Sequence, residues 1–212
     1  MIITILTDNK NSWFVEYGYM LKKKLEDYKI DVVYVFDKND IRIGDICFLL
    51  SCSRIVQEVY LERNRNNIVV HASDLPKGKG FSPLQWQILE GNEEIVLTLF
   101  EVIAEVDAGP YYLKRSIKFD GTELYKELRE KLANMIIDMC VFFVENYGKL
   151  DPIEQTENES FYRRRNVQDD EINPDNTIIE LFNHFRIADN ENHPLYFYYK
   201  NNKYILKIFK DQ

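Results

Sequence analysis

The chain has 212 residues, of which 45% are hydrophobic and 14% aromatic, and carries a formal net charge of -8. That length suits one domain, or one domain with a small appendage, and no apolar run approaches the roughly 20 residues that cross a bilayer. The negative balance repels a large polyanion unless a local basic groove exists, which counts against a duplex or tRNA partner. Cys47, Cys52 and Cys140 are odd in number and lack zinc-ligand spacing, so they read as reduced thiols of a cytoplasmic protein, with no metal site.

Residues 2–6, a short apolar run without a basic flank, read as a first strand and not as a signal peptide. Asp8 to Ser12 is polar turn chemistry able to cap a helix. Apolar positions at Phe14, Tyr17, Met20, Leu21 and Leu25 then follow a helical period over 13–27. Strands are predicted at 32–36, 44–50 and 67–71, with a short helix over 55–62. A further strand covers 95–100, another 111–119, and a long amphipathic helix 121–147. Near-continuous Val/Ile strands alternating with helices imply an α/β domain with a mostly parallel sheet flanked by helices and covered on both faces. Ligands of such sheets bind beyond the carboxyl ends of the strands. Residues 149–176, rich in Asp, Glu, Asn and Pro, read as a connector that is partly ordered at best. The chain closes with a helix over 177–187 and a hairpin, 195–199 and 204–208, turning at Asn201-Asn202. This divides the chain into a domain at 1–148, the connector, and a small extension at 177–212.

The chemistry concentrates on His71 and Asp107. His71 ends the run Ile68-Val69-Val70 and opens the loop His-Ala-Ser-Asp-Leu-Pro-Lys-Gly-Lys-Gly-Phe-Ser-Pro. Asp107 follows in Glu-Val-Asp-Ala-Gly, after the run 95–100. A strand-end histidine and an acid on a glycine-bounded loop can meet across neighbouring strands. Such a pair moves protons near neutrality, with the carboxylate holding the imidazole in one tautomer. A lone strand-end histidine is more often structural; the Ser-x-Leu-Pro loop and the acid in register reverse that weighting. His184 and His193 have no such setting and read as structural.

These positions, His71, Ser73, Leu75, Pro76, Gly80, Pro83, Trp86, Asp107 and Gly109, resemble the folate-dependent formyltransferases, whose pattern is Asn-x-His-x-Ser-x-Leu-Pro, a basic loop ending in Gly, and a later Asp-x-Gly. The segment Tyr162-Arg163-Arg164 with Asp169 or Asp170, then 181–186 and the aromatic hairpin, is similar to the region after the catalytic domain in nucleotide-sugar formyltransferases, closest to short members associated with pseudaminic-acid-type sugars. The resemblance implies a Rossmann-like catalytic domain. It implies transfer of a formyl group from 10-formyltetrahydrofolate to the amine of a nucleotide-linked 4-amino-4,6-dideoxy sugar in bacterial surface-glycan synthesis.

By the same resemblance, His71 stabilises the oxyanion and shuttles protons while Asp107 orients it. Ser53, Arg54 and Ile55 on one side, and Ile103, Ala104, Glu105 and Asp107 on the other, line the folate slot. Trp13, Ser73, Lys77, Lys79, Tyr162 and Arg164 are the acceptor candidates, since a nucleotide diphosphate needs cations or free N–H groups and a base needs a stacking partner. One position departs: Val69 stands where the family has asparagine, whose amide would hold the oxyanion. Protonated His71, a backbone N–H in 72–75, or Ser73 could replace it. The alternative acceptors fit less well. A methionyl-tRNA enzyme is expected to carry a larger C-terminal domain and basic surface. A glycinamide ribonucleotide enzyme is expected to have a glycine-rich loop where this chain has Thr7 to Asn11. A non-catalytic folate-binding homologue is the reading opened by Val69. The apolar hairpin points to a homodimer; no nucleic acid or membrane partner is expected.

Overall fold

Side chains alternate along the strands and sort onto two sheet faces, and the two faces are covered very differently. The computed structural model describes residues 1–156 and 158–211. In chain order the elements are β1 (Ile2–Leu6), α1 (Val15–Asp27), β2 (Asp31–Val35), β3 (Gly44–Leu49), α2 (Glu58–Leu61), β4 (Asn64–His71), β5 (Lys79–Gly80), α3 (Pro83–Leu89), β6 (Glu94–Glu101), β7 (Tyr111–Lys118), α4 (Tyr125–Glu145), β8 (Phe161–Tyr162), α5 (Phe182–Ile187), β9 (Leu195–Tyr199) and β10 (Asn202–Leu206). The main sheet has the order β2-β1-β3-β4-β6-β7. Its first four strands run parallel, and β6 and β7 each reverse direction. The mostly parallel α/β arrangement is therefore as read, with an antiparallel edge that the sequence pattern did not distinguish.

Ile3, Ile5, Ile46, Phe48, Ile68, Leu97 and Leu99 face α1 and α4 and form the main core with Leu21, Leu25, Leu128, Ile136, Met139 and Phe143. The alternate residues Leu6, Cys47, Leu49 and Val69 face the other way, against Val56, Tyr60 and Leu61 around short α2 and against Val102. Loops cover this second face, and His71, two residues beyond Val69, shares it. No helix among the described residues is long and apolar enough to cross a membrane.

Several elements differ from the sequence reading for local reasons. The long helix starts at Tyr125, not 121, because side chains compete for the backbone N–H groups. Asp120 N–H donates to Glu123 and Thr122 N–H to Asp120, so these residues form a polar turn. Thr177 pairs with Glu180 in the same way ahead of α5, which is accordingly shorter than 177–187. The hairpin turns at Lys200-Asn201, with φ of 46° and 61°, the two positive values that a type I′ turn demands. The largest correction is the connector. Ile153 pairs with Tyr111 on the free edge of β7, and β8 pairs in parallel with β5. A polar, acidic composition hid these backbone pairings, because edge hydrogen bonds need no particular side chain.

The C-terminal extension has its own small core, Ile172, Leu181, Phe185, Ala188 and Leu195. It is fastened to the main domain by Arg186, 2% exposed, whose Nη2 donates to Glu123 at 3.1 Å. Burial by itself raises the Glu123 carboxyl, but the Lys131 ammonium and the Asp120 N–H outweigh it and hold the group below its ordinary 4.5. A depressed carboxyl stabilises the fold above that value and loses the contribution as pH falls through it. Arg186→Leu, which strands a buried carboxylate on one partner fewer, should cost about 3 kcal/mol in urea unfolding at pH 7. The same titration repeated on Glu123→Gln should show a weaker loss of stability below pH 4.5 than the parent chain.

Candidate active site

His71 closes β4 opposite Thr98 of β6 and is 9% exposed. Its Nε2 lies 2.8 Å from the carbonyl oxygen of Gly78. A carbonyl only accepts, so the ring carries a proton on Nε2. Nδ1 faces Oδ2 of Asp107 at 3.9 Å, beyond hydrogen-bonding range but close enough for attraction to a cationic ring. That same Oδ2 accepts from Gly80 N–H at 2.8 Å, so one carboxylate oxygen ties the loop after His71 and faces the histidine.

Bringing the acid there takes a reversal. Because β6 runs against β4, its end at Glu101 lies beside Ile68, away from the strand end that carries His71. Residues 102–109 fold back over the loop-covered face to return Asp107. Glu101 anchors the start of this loop by accepting from Asn66 Nδ2, the Asn67 amide and the Tyr112 hydroxyl; burial nevertheless pushes its carboxyl above the ordinary range. Gly109 lies so close to the Glu101 carbonyl that a Cβ would stand 1.8 Å from its oxygen, which accounts for the glycine of Asp-x-Gly. Asp107 itself is left-handed, φ 52°, a conformation that Asp tolerates better than most residues. Gln155 of the connector holds it there, its Nε2 donating to the carbonyls of Asp107 at 3.1 Å and Gly109 at 2.6 Å.

The loop between His71 and Gly80 is pinned from both ends. Thr98 Oγ1 donates to the Ser73 carbonyl at 2.7 Å and accepts from Leu75 N–H at 3.3 Å. Ser160 Oγ accepts from Gly78 N–H at 2.9 Å, and Ser160 N–H donates to the Pro76 carbonyl. The connector is thus a strap across the loop after His71.

The other candidate residues divide among several settings. Asp8 accepts from the N–H groups of Ser53 and Arg54, both at 2.8 Å, leaving Ile55 exposed beyond them. Ile103, Ala104 and Glu105 lie on the Asp107 loop, where Ile103 and Val106 are exposed. Ser73, in the loop after His71, is buried. Lys79 is buried, with its ammonium 2.7 Å from Glu159, so in this conformation it serves the strap and does not face an incoming phosphate. Lys77 N–H donates to the Asp74 carbonyl. Trp13 packs on the main core with the Arg129 guanidinium 5.1 Å from its ring. Tyr162 stacks on Trp86, ring centroids 6.3 Å apart, and its hydroxyl donates to Glu90. Of the three arginines that follow, Arg163 pairs with Asp169 and Arg165 with Asp170. Arg164 lies 4.3 Å from the Phe81 ring and has no carboxylate partner among the described residues. Hydrogen bonding to Arg163 lowers the Asp169 carboxyl to about 2. His193 approaches Asp170 and His184 is half-buried in the extension, both away from this site. Sequence reasoning missed Gln155, Ser160 and Glu159, which stand in an acidic stretch with no local signal, and read Asp8 only as turn chemistry.

Two hydrogen bonds of about 1 kcal/mol each hold the Asp107 loop through Gln155. Gln155→Ala should therefore speed amide hydrogen exchange at Gly80 by about ten- to thirty-fold, with α1 and α4 unchanged, as read by exchange mass spectrometry.

The family profile described as formyl transferase matches residues 20–139. Among curated relatives, the methionyl-tRNA formyltransferase of Mycoplasma capricolum subsp. capricolum is 28% identical over 170 residues, covering 77% of this chain and 52% of that protein. The chain thus spans about half the length of that relative. Among solved structures, a methionyl-tRNA formyltransferase from Clostridium thermocellum superposes with a TM-score of 0.81 at 22% identity, covering 100% of this chain and 93% of that one. The formyltransferase PseJ from Anoxybacillus kamchatkensis, in complex with UDP-4,6-dideoxy-4-formamido-L-AltNAc and tetrahydrofolate, gives 0.61 at 21% identity, covering 77% and 86%. The profile spans more than half of the chain, and His71, Ser73, Leu75, Pro76, Asp107 and Gly109 hold the motif in space: the chain belongs to the formyl transferase family.

Proposed function

We propose that this protein transfers a formyl group from 10-formyltetrahydrofolate to the primary amine of a nucleotide-linked amino sugar. The observation that carries the reading is the buried His71 with Nε2–H directed at a carbonyl oxygen and Nδ1 facing Asp107. The folate brings the formyl group. Ile55, Ile103 and Val106 are exposed on the two loops that flank His71, and a flat apolar ring would cover them; Ser53, Arg54, Ala104 and Glu105 would contribute main-chain contacts. His71 polarises the formyl oxygen as the amine attacks the formyl carbon. Asp107 steadies the ring and, with it, passes the amine's proton towards the departing folate nitrogen. The Gly78 carbonyl must leave Nε2 for this to happen.

The acceptor assignment draws on charge and on the strap. A net charge of -8 opposes a polyanionic tRNA. The loop after β1, Thr7 to Asn11, holds no glycine and carries the Asp8 carboxylate, which accepts from the Ser53 and Arg54 amides; a negative charge there disfavours the phosphate of glycinamide ribonucleotide. Arg164, beside Phe81 and next to the Trp86–Tyr162 stack, supplies a cation and aromatic surfaces of the kind a nucleotide diphosphate needs. Lys77 stays with the acceptor side in the same reading, whereas Lys79 is turned to Glu159, Trp13 packs on the main core and Ser73 is buried. PseJ, whose complex holds a UDP-linked 4-formamido sugar, favours it, and a homodimer through Tyr199, Tyr204 and Ile205 accompanies it. A second reading, formylation of methionyl-tRNA, is favoured by the printed names of the curated relatives and of the Clostridium thermocellum structure.

Purified protein, 10-formyltetrahydrofolate and a panel of nucleotide-linked 4-amino sugars should give one sugar heavier by a formyl group in mass spectrometry. His71→Ala should slow that transfer by about 10²–10⁴-fold. Formylation of methionyl-tRNA with every sugar unchanged would select the second reading, and no product with any amine would overturn both.

A further inference from the structure

The ring that formyl transfer needs is capped by the chain itself. The Gly78 carbonyl oxygen accepts from His71 Nε2–H at 2.8 Å, the N–H that would polarise a formyl oxygen. That nitrogen has one proton to give, and here it is given internally. An incoming carbonyl finds the position filled until Gly78 moves.

Residues 159–162 of the connector hold that cap in place. Ser160 Oγ accepts from Gly78 N–H at 2.9 Å, the Ser160 carbonyl accepts from Lys79 N–H at 2.9 Å, and Ser160 N–H donates to the Pro76 carbonyl at 3.3 Å. The Tyr162 carbonyl accepts from Phe81 N–H at 3.1 Å. Gly78, at φ 71°, is wedged so closely that a Cβ would stand 2.9 Å from both Ser73 Cβ and Tyr162 Cε2. The connector is moored on either side of this clasp. Gln155 bonds the carbonyls of Asp107 and Gly109, while Tyr162 stacks on Trp86 and donates to Glu90.

An ion pair completes the clasp, and it is open to exchange. Lys79 is 3% exposed and its ammonium meets Glu159 at 2.7 Å, whereas half of the Glu159 side chain faces solvent. A buried ammonium keeps its charge only with an anion beside it, but nothing in the contact requires a carboxylate. A diphosphate offers the same charge-assisted acceptor with more than one negative charge, so it outcompetes a single half-solvated carboxylate. Arg164, two residues beyond Tyr162 and 4.3 Å from the Phe81 ring, adds a second cation on the same strap. Once Glu159 loses Lys79, neutral hydrogen bonds hold the cap without it.

We propose that residues 159–162 are an autoinhibitory latch, which keeps the Gly78 carbonyl on His71 Nε2–H until the diphosphate of an acceptor takes Lys79 from Glu159. This rests on the formyl-transfer reading and adds a control to it. Folate that arrives without an acceptor meets a capped imidazole, so water is kept from releasing the formyl group as formate. Acceptor binding brings the amine and uncovers Nε2–H in one event.

The test compares the parent chain with Glu159→Gln, Ser160→Ala and Lys79→Met. Nitrogen NMR of labelled histidine reads the latch without any reaction, because a ring N–H bonded to a buried carbonyl exchanges slowly and gives a cross-peak near neutral pH. The parent should show that cross-peak for His71, assigned by its absence in His71→Ala. Inorganic pyrophosphate should broaden or remove it, sodium chloride at matched ionic strength should not, and Lys79→Met should no longer respond to pyrophosphate. Acceptor-free release of formate from 10-formyltetrahydrofolate, in which water takes the amine's place, should rise about two- to tenfold in Glu159→Gln and in Ser160→Ala, the range of one hydrogen bond of ordinary strength. Folate affinity should stay within about twofold. A connector that merely braces the fold would lower both that rate and the melting temperature in the same variants. A cross-peak unmoved by pyrophosphate in the parent, or formate release unchanged or lower in both variants, overturns the latch while the parent's formyl transfer to the sugar keeps the reading. A parent chain that binds folate and transfers formyl to no amine, with Glu159→Gln equally inert towards amine and water, overturns the reading, and the latch with it.

Discussion

The arrangement of this site depends on one carboxylate oxygen. Oδ2 of Asp107 accepts the Gly80 amide and faces Nδ1 of His71, so the loop after His71 and the ring share one acidic anchor. An oxygen already committed to a neutral amide is held in place without consuming the charge that a cationic imidazole would feel. The rest of the site keeps that oxygen in position. The Glu101 network roots the start of the loop, Gly109 allows its return past a carbonyl, and Gln155 holds the left-handed Asp107 from outside.

The two sheet faces explain why the site sits where it does. The face under α1 and α4 is filled by interlocking apolar side chains, leaving no room for a substrate. The opposite face is roofed by loops, and loops held by a few hydrogen bonds open at lower free energy than packed helices. Here the roof is doubled. The loop after His71 lies on the ring, and residues 159–162 of the connector lie on the loop, bonding to it through Ser160, Glu159 and the β5–β8 pairing. The Gly78 carbonyl covers His71 Nε2, and the strap reaches that same segment through one short strand pair.

Much of the fold was legible because strand and helix periods reflect burial directly. The runs around Ile5, Phe48 and Ile68 and the helical spacing of Leu21 and Leu25 announce a covered sheet. The direction of β6 was not legible, since an apolar strand reads the same in either orientation. The connector was misread for a related reason: Ile153, Ser160 and Phe161 are bound through their backbones or a single hydroxyl, which composition does not register. The shortened starts of α4 and α5 reflect Asp, Thr and Glu side chains competing for amides, a local effect finer than a hydrophobic period.

By itself, the sequence determined the chemistry available: a strand-end histidine, a glycine-bounded aspartate, a Ser-x-Leu-Pro loop, and a valine where an amide is usual. These are properties of residue type and spacing, and they persist in any conformation. Tertiary structure alone decided which of them meet and what restrains them. The reversal of β6 brings Asp107 to His71, the strap closes Gly78 over His71 and Ser73, Asp8 takes the amides after β3, and Lys79 is turned inward to Glu159. Each of these contacts joins segments tens of residues apart, or turns on backbone groups that every residue shares, so no local pattern encodes it.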